Sequence, residues 1–110
     1  MTRSKAPETR ELTPRQAQKW MAEEGQIQLI DVRTPAEHKE ARLANAKLLP
    51  LNTLEARLHE LDKQRPVLIY CASGGRSGQA LTYLESQGYN AKHVLGGISQ
   101  WAGDGLPYES

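Results

Sequence analysis

The chain has 110 residues, with 14 basic and 13 acidic side chains and a single cysteine, so it is long enough for one domain with one hydrophobic core. Its balanced charge argues against a nucleic-acid-binding protein, and no apolar run approaches the roughly 20 residues that a membrane span needs. One cysteine excludes an internal disulfide and a multi-cysteine metal site, and a polar start without a secretory signal predicts a cytoplasmic location. Residues 1–10 are polar and predict a mobile tail before a domain that spans residues 11–110.

The first helix and the first strand follow this tail. Thr13 can cap a helix that has Pro14 at its first position, and Gln16 can reach back to complete a capping box. We expect this helix to end at Gly25. The short apolar segment 27–32 then predicts a strand.

Three shorter signals occupy the next part of the chain. The sequence Thr34-Pro35-Ala36-Glu37 predicts a second helix start, and residues 47–49 predict a short strand that Pro50 ends. Residues 52–55 have the pattern of another helix start. Leucines then occupy the i, i+4 and i+7 positions of one helical face, namely Leu54, Leu58 and Leu61. We therefore expect a third helix in this region.

The second half of the chain contains the most apolar segment. Residues 67–70 form a run typical of a strand that is buried on both faces of a parallel sheet. A glycine-rich loop is predicted for residues 71–77, followed by a helix that Gly88 ends. Residues 91–95 predict another strand, and a short helix is expected after Gly96-Gly97.

Strands alternate with helices along the whole chain, which is the pattern of an α/β fold. We expect a central, mostly parallel sheet flanked by helices on both faces. Ligands of such sheets bind at the carboxyl ends of the strands. Because the only thiol, Cys71, directly follows the most apolar strand, this edge of the sheet is the predicted functional site.

The segment after this strand has the composition needed to hold an ionised sulfur. The dipole of the following helix and the charge of Arg76 both favour the thiolate form of Cys71. The small residues 72–75 let the backbone curl with its N–H groups turned inward, and Gly74 and Gly75 can take positive φ, which an anion nest needs. The alternative is a buried structural cysteine followed by an ordinary glycine turn.

Several separated motifs occur along the chain in a fixed order. They are Ile30-Asp31-Val32-Arg33, Glu37, Ile69-Tyr70-Cys71 with the segment to Arg76, Gly96-Gly97 followed by Trp101, and Gly105-Leu106-Pro107. In this order they resemble the rhodanese-like domain family of sulfurtransferases, over about residues 12–108. The resemblance implies a rhodanese-like α/β fold around a central parallel sheet.

The same resemblance implies a reaction. Cys71 would be the catalytic residue, accepting a sulfane sulfur as a persulfide and passing it on. The donor would be thiosulfate or a persulfide, and the acceptor cyanide or a thiol, with a sulfur-relay protein as a further candidate partner. The residues that would bind the persulfide and a nearby anion through their N–H groups are Ala72, Ser73, Gly74, Gly75, Arg76 and Ser77. No cofactor is expected.

Two other functions remain open on the same fold. One is a non-catalytic interaction or regulatory module, although such modules often lose the cysteine that this chain keeps. The other is a cysteine phosphatase or arsenate reductase. Phosphatases of related fold have one residue more between cysteine and arginine, and usually a histidine where this chain has Tyr70. The shorter loop favours sulfur transfer.

The remaining polar residues near the predicted edge are open to two interpretations. Asp31 and Arg33 end a strand on the same edge as Cys71 and are candidates for supporting its loop. The alternative is a strand-end hydrogen bond for Asp31 and an ion pair between Arg33 and Glu37. The histidines show no metal-ligand spacing, and we interpret all of them as structural or surface residues: His38, His59 and His93. Sequence order alone supports no pairing of a histidine with the cysteine. No metal site is expected.

Overall fold

A computed structural model describes residues 9–110, and at its centre lies a five-stranded sheet in which all neighbouring strands are parallel. In chain order the strands are β1 (Glu11–Leu12), β2 (Gln28–Asp31), β3 (Lys47–Leu48), β4 (Val67–Tyr70) and β5 (Ala91–Val94). They lie side by side in the order β1-β5-β4-β2-β3, so that β4 is the central strand. The prediction of an α/β fold around a parallel sheet is confirmed.

The helices are α1 (Pro14–Glu23), α2 (Pro35–Glu40), α3 (Gly75–Ser86) and α4 (Gly97–Gly103). The first two begin with the predicted capping boxes, because the hydroxyls of Thr13 and Thr34 each accept the N–H of the residue three positions later. Each also has a proline at its first position, where a missing N–H costs no helical hydrogen bond. The predicted starts of α1 and α2 are confirmed.

The side chains of β4 alternate between two hydrophobic clusters, one on each face of the sheet. Val67 and Ile69 pack with the buried face of α3, and Leu68 and Tyr70 pack with residues of α1 and α4. Cys71 follows this alternation and belongs to the cluster on the α3 side. Since successive side chains of a strand point to opposite faces, the register of β4 directs the thiol toward the start of α3.

The predicted helix after residue 52 is wrong. The structure has two short 3-10 helices in its place, Leu51–Thr53 and Leu58–Glu60. The hydroxyl of Thr53 donates to a preceding carbonyl oxygen at 2.8 Å instead of capping a helix, and Arg57 leaves the α region at φ −109° and ψ 15°. Two of the three leucines behind the prediction are nevertheless buried, Leu54 and Leu61.

The sequence pattern does not predict β1, which lies at the edge of the sheet and pairs with β5. Of the predicted tail, residues 1–8 lie outside the described residues. Arg10 is described: its side chain bonds Glu85 of α3 twice at 2.7 Å, and its carbonyl oxygen accepts the N–H of His93 at 3.0 Å. Within residues 9–110, the structure contains no helix of the length and apolarity that crossing a membrane requires.

Candidate active site

Cys71 lies at the carboxyl end of β4, where the chain turns into α3, and only 1% of the residue is exposed. Its carbonyl oxygen accepts the N–H of Ile98 at 2.9 Å, and the carbonyl oxygen of Ala72 accepts the N–H of Ser99 at 3.0 Å. Both donors belong to the first turn of α4. These two bonds fix the peptide groups at the start of the segment 71–77, which we call the Cys71 segment.

Gly97 allows this close approach of α4. A Cβ atom at position 97 would collide with the carbonyl oxygen of Cys71 and lie 2.5 Å from the carbonyl carbon of Ala72. Gly97 also has φ +60°, in the left-handed region that favours glycine. The Gly96-Gly97 motif singled out in the sequence is therefore part of the scaffold that holds the Cys71 segment.

Two backbone donors converge on the sulfur of Cys71. The N–H of Gly74 lies 3.1 Å from Sγ and the N–H of Ser77 lies 3.3 Å from it. The hydroxyl oxygen of Ser77 lies 3.5 Å from Sγ and can accept the proton of the thiol. Gly74 reaches its position with φ +114°, which side-chain-bearing residues rarely adopt. The sequence-based expectation of a backbone nest with a left-handed glycine at position 74 is matched by this geometry.

Of the two glycines in this segment, only Gly74 takes the left-handed conformation. Gly75 is the first residue of α3 and has an ordinary negative φ, since one left-handed residue at Gly74 suffices to turn the chain into the helix. Arg76 and Ser77 therefore lie in the first turn of α3 and not in a loop. The N–H of Ser77 points at the sulfur because it is one of the first N–H groups of a helix, which have no partner within the helix.

The hydrogen bonds to sulfur favour the thiolate. Burial by itself raises the pKa of Cys71. Hydrogen bonds from the side chain and N–H of Ser77, and from the N–H groups of Gly74 and Ser73, lower it by more. The pKa of Cys71 thus lies below that of an ordinary thiol, in an environment where the thiolate is the nucleophilic form.

Arg76 pairs with Glu37, the acidic residue of α2 that the sequence motifs included. Its guanidinium donates to both carboxylate oxygens, at 2.7 and 2.9 Å. The hydrogen bonds from Arg76, together with one from the backbone N–H of Thr34, lower the pKa of Glu37 to about 2. The ion pair expected between Arg33 and Glu37 is therefore wrong, because the partner of Glu37 is the arginine of the Cys71 segment.

Arg33 instead bonds Asp31, its neighbour at the end of β2. Its Nε and one terminal nitrogen donate to the two carboxylate oxygens of Asp31 at 2.9 and 2.7 Å, and both residues are buried. The same carboxylate accepts the hydroxyl of Tyr70 at 3.1 Å and lies 2.9 Å from Nδ1 of His38. Asp31 thus holds the residue that precedes Cys71, while its own hydrogen bonds go to groups outside the Cys71 segment.

One residue of the site was missed by the sequence analysis, which interpreted it as structural or at the surface. The side chain of His93, on β5, is 4% exposed, and its Nδ1 lies 2.8 Å from the hydroxyl of Ser77. Its Nε2 lies 3.2 Å from a carboxylate oxygen of Glu11 on β1. A signal existed, because consecutive parallel strands bring their carboxyl ends together and β5 follows β4 in the chain.

A cavity of about 340 Å³ opens beside the Cys71 segment, which we call the Arg76 cavity. Its walls are mostly apolar, with one arginine from the segment between β2 and α2 and one from α3. The residues that line it are Val32, Arg33, Thr34, Pro50, Leu51, Asn52 and Arg76. Among residues 9–110, no cluster of three or more histidine, cysteine, aspartate or glutamate side chains is arranged to hold a metal ion.

Comparison with known proteins places this chain in a family. The family model described as the Rhodanese-like domain matches residues 13–104. A protein from Allochromatium vinosum named sulfurtransferase is 43% identical over 88 residues, which cover 79% of this chain and 82% of that protein. A thiosulfate sulfurtransferase from Coxiella burnetii is 33% identical, over 68% of this chain and 71% of the relative.

Longer relatives and solved structures agree. The chain spans 24% of a protein from Mycobacterium tuberculosis named a probable adenylyltransferase/sulfurtransferase, with 34% identity. The crystal structure of a rhodanese-like domain protein from Staphylococcus aureus matches with a TM-score of 0.81 and 33% identity, over 93% of this chain and 100% of that one. The chain therefore belongs to the rhodanese-like domain family, as do relatives that are named sulfurtransferases.

Proposed function

We propose that this protein is a sulfurtransferase that carries a sulfane sulfur on Cys71 as a persulfide. The observation that supports this most directly is the position of Sγ, where the N–H groups of Gly74 and Ser77 converge at the start of α3. A structural cysteine needs no such donors. Donors that stabilise a thiolate in a buried site also suit the anionic outer sulfur of a persulfide.

The first half of the reaction is a displacement at sulfur. The thiolate of Cys71 attacks the outer sulfur of thiosulfate, a new S–S bond forms, and the bond to the sulfonate group breaks. Sulfite leaves with the electron pair of that bond, and the negative charge moves to the outer sulfur of the persulfide. The N–H groups around Sγ are already oriented before thiosulfate binds, so the protein needs little reorganisation.

The second half returns Cys71 to its thiolate form. A nucleophilic acceptor, cyanide or a thiolate, attacks the outer sulfur, and the Cys71 sulfur leaves with the electron pair of the S–S bond. Cyanide becomes thiocyanate, and a thiolate becomes a persulfide. The reaction is a covalent double displacement in which the cysteine serves first as nucleophile and then as leaving group.

Arg76 is proposed to attract the anionic donor. Its guanidinium lies close enough to Cys71 for the two charges to interact, although both of its hydrogen bonds go to Glu37. Glu37 holds the guanidinium in one orientation beside the Arg76 cavity. The positive charge then acts on the site as a fixed electrostatic contribution, without a direct bond to Sγ.

The Arg76 cavity favours an acceptor with an apolar part. Val32, Pro50 and Leu51 contribute apolar surface, and the volume of about 340 Å³ exceeds what cyanide alone occupies. We propose an organic thiol as the natural acceptor, either a small molecule or a cysteine of a sulfur-relay protein. A cysteine that must stay reduced suits a reducing compartment such as the cytoplasm.

The alternative functions have less support from the same geometry. A phosphate oxyanion needs a wider ring of N–H groups than a single sulfur, and here α3 begins at Gly75, only four residues after Cys71. A non-catalytic module needs neither the left-handed Gly74 nor the lowered pKa of Cys71. Turnover of an aryl phosphate by the wild-type protein would favour the phosphatase.

The test is mass spectrometry of the intact protein after incubation with thiosulfate. We expect the wild type to gain one sulfur atom and to lose it again when cyanide or a thiol is added. Cys71→Ser should gain none, and since Cys71 is the only cysteine, the assignment of the modified residue needs no further mapping. A wild type that never gains sulfur from thiosulfate or a persulfide donor, or a Cys71→Ser protein that still transfers it, contradicts the proposal.

A further inference from the structure

A chain of polar contacts leads away from Cys71 through three further side chains. Sγ of Cys71 lies 3.5 Å from the hydroxyl oxygen of Ser77, which lies 2.8 Å from Nδ1 of His93. Nε2 of His93 lies 3.2 Å from a carboxylate oxygen of Glu11. Ser77 and His93 are buried, whereas the side chain of Glu11 is half exposed. The chain therefore connects the buried sulfur to a carboxylate at the surface.

The carboxylate of Glu11 selects the tautomer of His93. A carboxylate only accepts hydrogen bonds, so Nε2 must carry a proton to face it at this distance. In the neutral imidazole, Nδ1 then has a lone pair and no proton. Nδ1 faces the hydroxyl of Ser77, so the neutral ring accepts a hydrogen bond from Ser77.

The single proton of the Ser77 hydroxyl makes the chain directional. When Ser77 donates to His93, its oxygen can accept from the thiol of Cys71, an arrangement in which every polar atom is satisfied. When His93 carries protons on both nitrogens, Nδ1 donates to Ser77, and Ser77 can donate to a thiolate on Cys71. A third neighbour, the carbonyl oxygen of Gly74 at 3.3 Å, can accept from Ser77 in either state but cannot donate to it.

We propose that His93 is a positioning residue that takes the proton of the Cys71 thiol through the Ser77 hydroxyl, with Glu11 holding the imidazolium that results. The thiol proton passes to Oγ of Ser77 while the proton of that hydroxyl passes to Nδ1 of His93. No electrons are gained or lost, and the sulfur keeps the pair that held its proton. The proposal rests on the proposed function only in that Cys71 is the nucleophile.

The surroundings of His93 leave these groups as its charged neighbours. Glu11 faces it from β1, and Cys71 faces it through Ser77 from the junction of β4 and α3. The carbonyl oxygen of Arg10 accepts the backbone N–H of His93, but the guanidinium of Arg10 pairs with Glu85. The next charged residue of β5, Lys92, lies against Trp20 on the opposite face of the sheet. The ammonium of Lys92 bonds the carbonyl oxygen of Thr9.

The test measures the rate at which iodoacetamide alkylates Cys71 as a function of pH, a reaction that requires the thiolate but no sulfur transfer. The variant His93→Asn keeps a polar group near Ser77 but cannot take up a proton. We expect its alkylation midpoint to rise by about one pH unit, which makes alkylation about tenfold slower below the midpoint. Glu11→Gln should shift the midpoint in the same direction by less. His59→Asn, at an exposed histidine, is the matched control.

Loading with thiosulfate is measured on the same samples and separates the two proposals. Normal loading of the wild type with unchanged alkylation midpoints in His93→Asn and Glu11→Gln overturns the role of His93 and leaves the sulfurtransferase intact. A wild type that loads from neither thiosulfate nor a persulfide donor, with midpoints that rise in the variants, overturns the sulfurtransferase and supports the relay. If His93→Asn does not fold, Glu11→Gln decides alone. An alkylation midpoint of Glu11→Gln equal to that of the wild type then contradicts the proposal.

Discussion

The guanidinium of Arg76 donates to both carboxylate oxygens of Glu37, at 2.7 and 2.9 Å, and thereby joins the first turn of α3 to α2. Both side chains are about one-third exposed, at 35% and 33%. The pair is therefore partly screened by solvent, and its contribution to stability is modest. Its larger effect is to fix the orientation of a positive charge beside Cys71.

Removing the charge of Glu37 should lower stability in a pH-dependent way. The folded protein holds the pKa of Glu37 at about 2, below the value near 4.3 in an unfolded chain. A carboxylate whose pKa is lowered by folding stabilises the fold at pH values above its pKa in the unfolded chain. This stabilisation is lost as the pH falls to its pKa in the folded protein. We expect Glu37→Gln to lose about 0.5–1 kcal/mol at neutral pH and almost nothing near pH 2.

Urea unfolding of the wild type and of Glu37→Gln, at neutral and at acidic pH, measures the difference in their unfolding free energy. Glu40→Gln is the matched control, because this carboxylate lies exposed at the end of the same helix. The control should show no comparable dependence on pH. A stability difference for Glu37→Gln that stays constant down to about pH 2 would show that the ion pair is not its cause.

Replacing Arg76 by lysine should slow sulfur loading while the protein stays folded. Lysine keeps the charge but is a point donor that cannot bond both oxygens of Glu37 in the observed geometry. We expect kcat/KM for thiosulfate to fall about tenfold in Arg76→Lys and further in Arg76→Ala. Arg15→Lys, on the surface of α1, is the control, and equal rates for all the proteins would remove Arg76 from the site.

An alanine at position 97 should disrupt the Cys71 segment. Its Cβ would collide with the carbonyl oxygen of Cys71, and its φ of +60° is unfavourable for alanine. We expect Gly97→Ala to lose about 2 kcal/mol or more of unfolding free energy and most of its sulfur loading. Gly103→Ala in the same helix adds a Cβ with no atom within 4 Å and should remain close to wild type by both measurements.

The two glycines of the Cys71 segment should respond in opposite ways to alanine. Gly74 has φ +114°, so Gly74→Ala forces strain into the turn that carries an N–H to the sulfur, at a cost of about 1–2 kcal/mol. Gly75 has a helical conformation and open space for a Cβ, so Gly75→Ala should leave stability unchanged or raise it slightly. Thermal unfolding compares the two, and equal destabilisation would contradict this assignment of the turn.

Much of the fold could be predicted because local signals and tertiary packing agree. The capping boxes at Thr13 and Thr34 fix two helix starts, and the apolar run 67–70 can be satisfied only by burial on both faces of a sheet. The segment after residue 52 shows the limit of such signals. Leucines at helical spacing also fit a succession of tight turns, and the hydrogen bond of Thr53 to a nearby carbonyl favours the turns.

The candidate site was predicted where its residues are adjacent in the chain and missed where they are not. The convergence of donors on Cys71 depends on the local sequence from Ala72 to Ser77. The partner of Glu37 and the contact of His93 with Ser77 depend on which strand ends meet in space. Strand order sets these contacts, and β1, which supplies Glu11, has only two residues and leaves almost no pattern in the sequence.

The two hydrogen bonds from α4 to the carbonyl oxygens of Cys71 and Ala72 bear on the energetics of the proposed sulfur transfer. They restrain the peptide groups at the start of the Cys71 segment before any substrate is bound. For the proposed transfer, we expect this preorganised backbone to reduce the energy spent on reorienting dipoles as charge moves along the S–S bond.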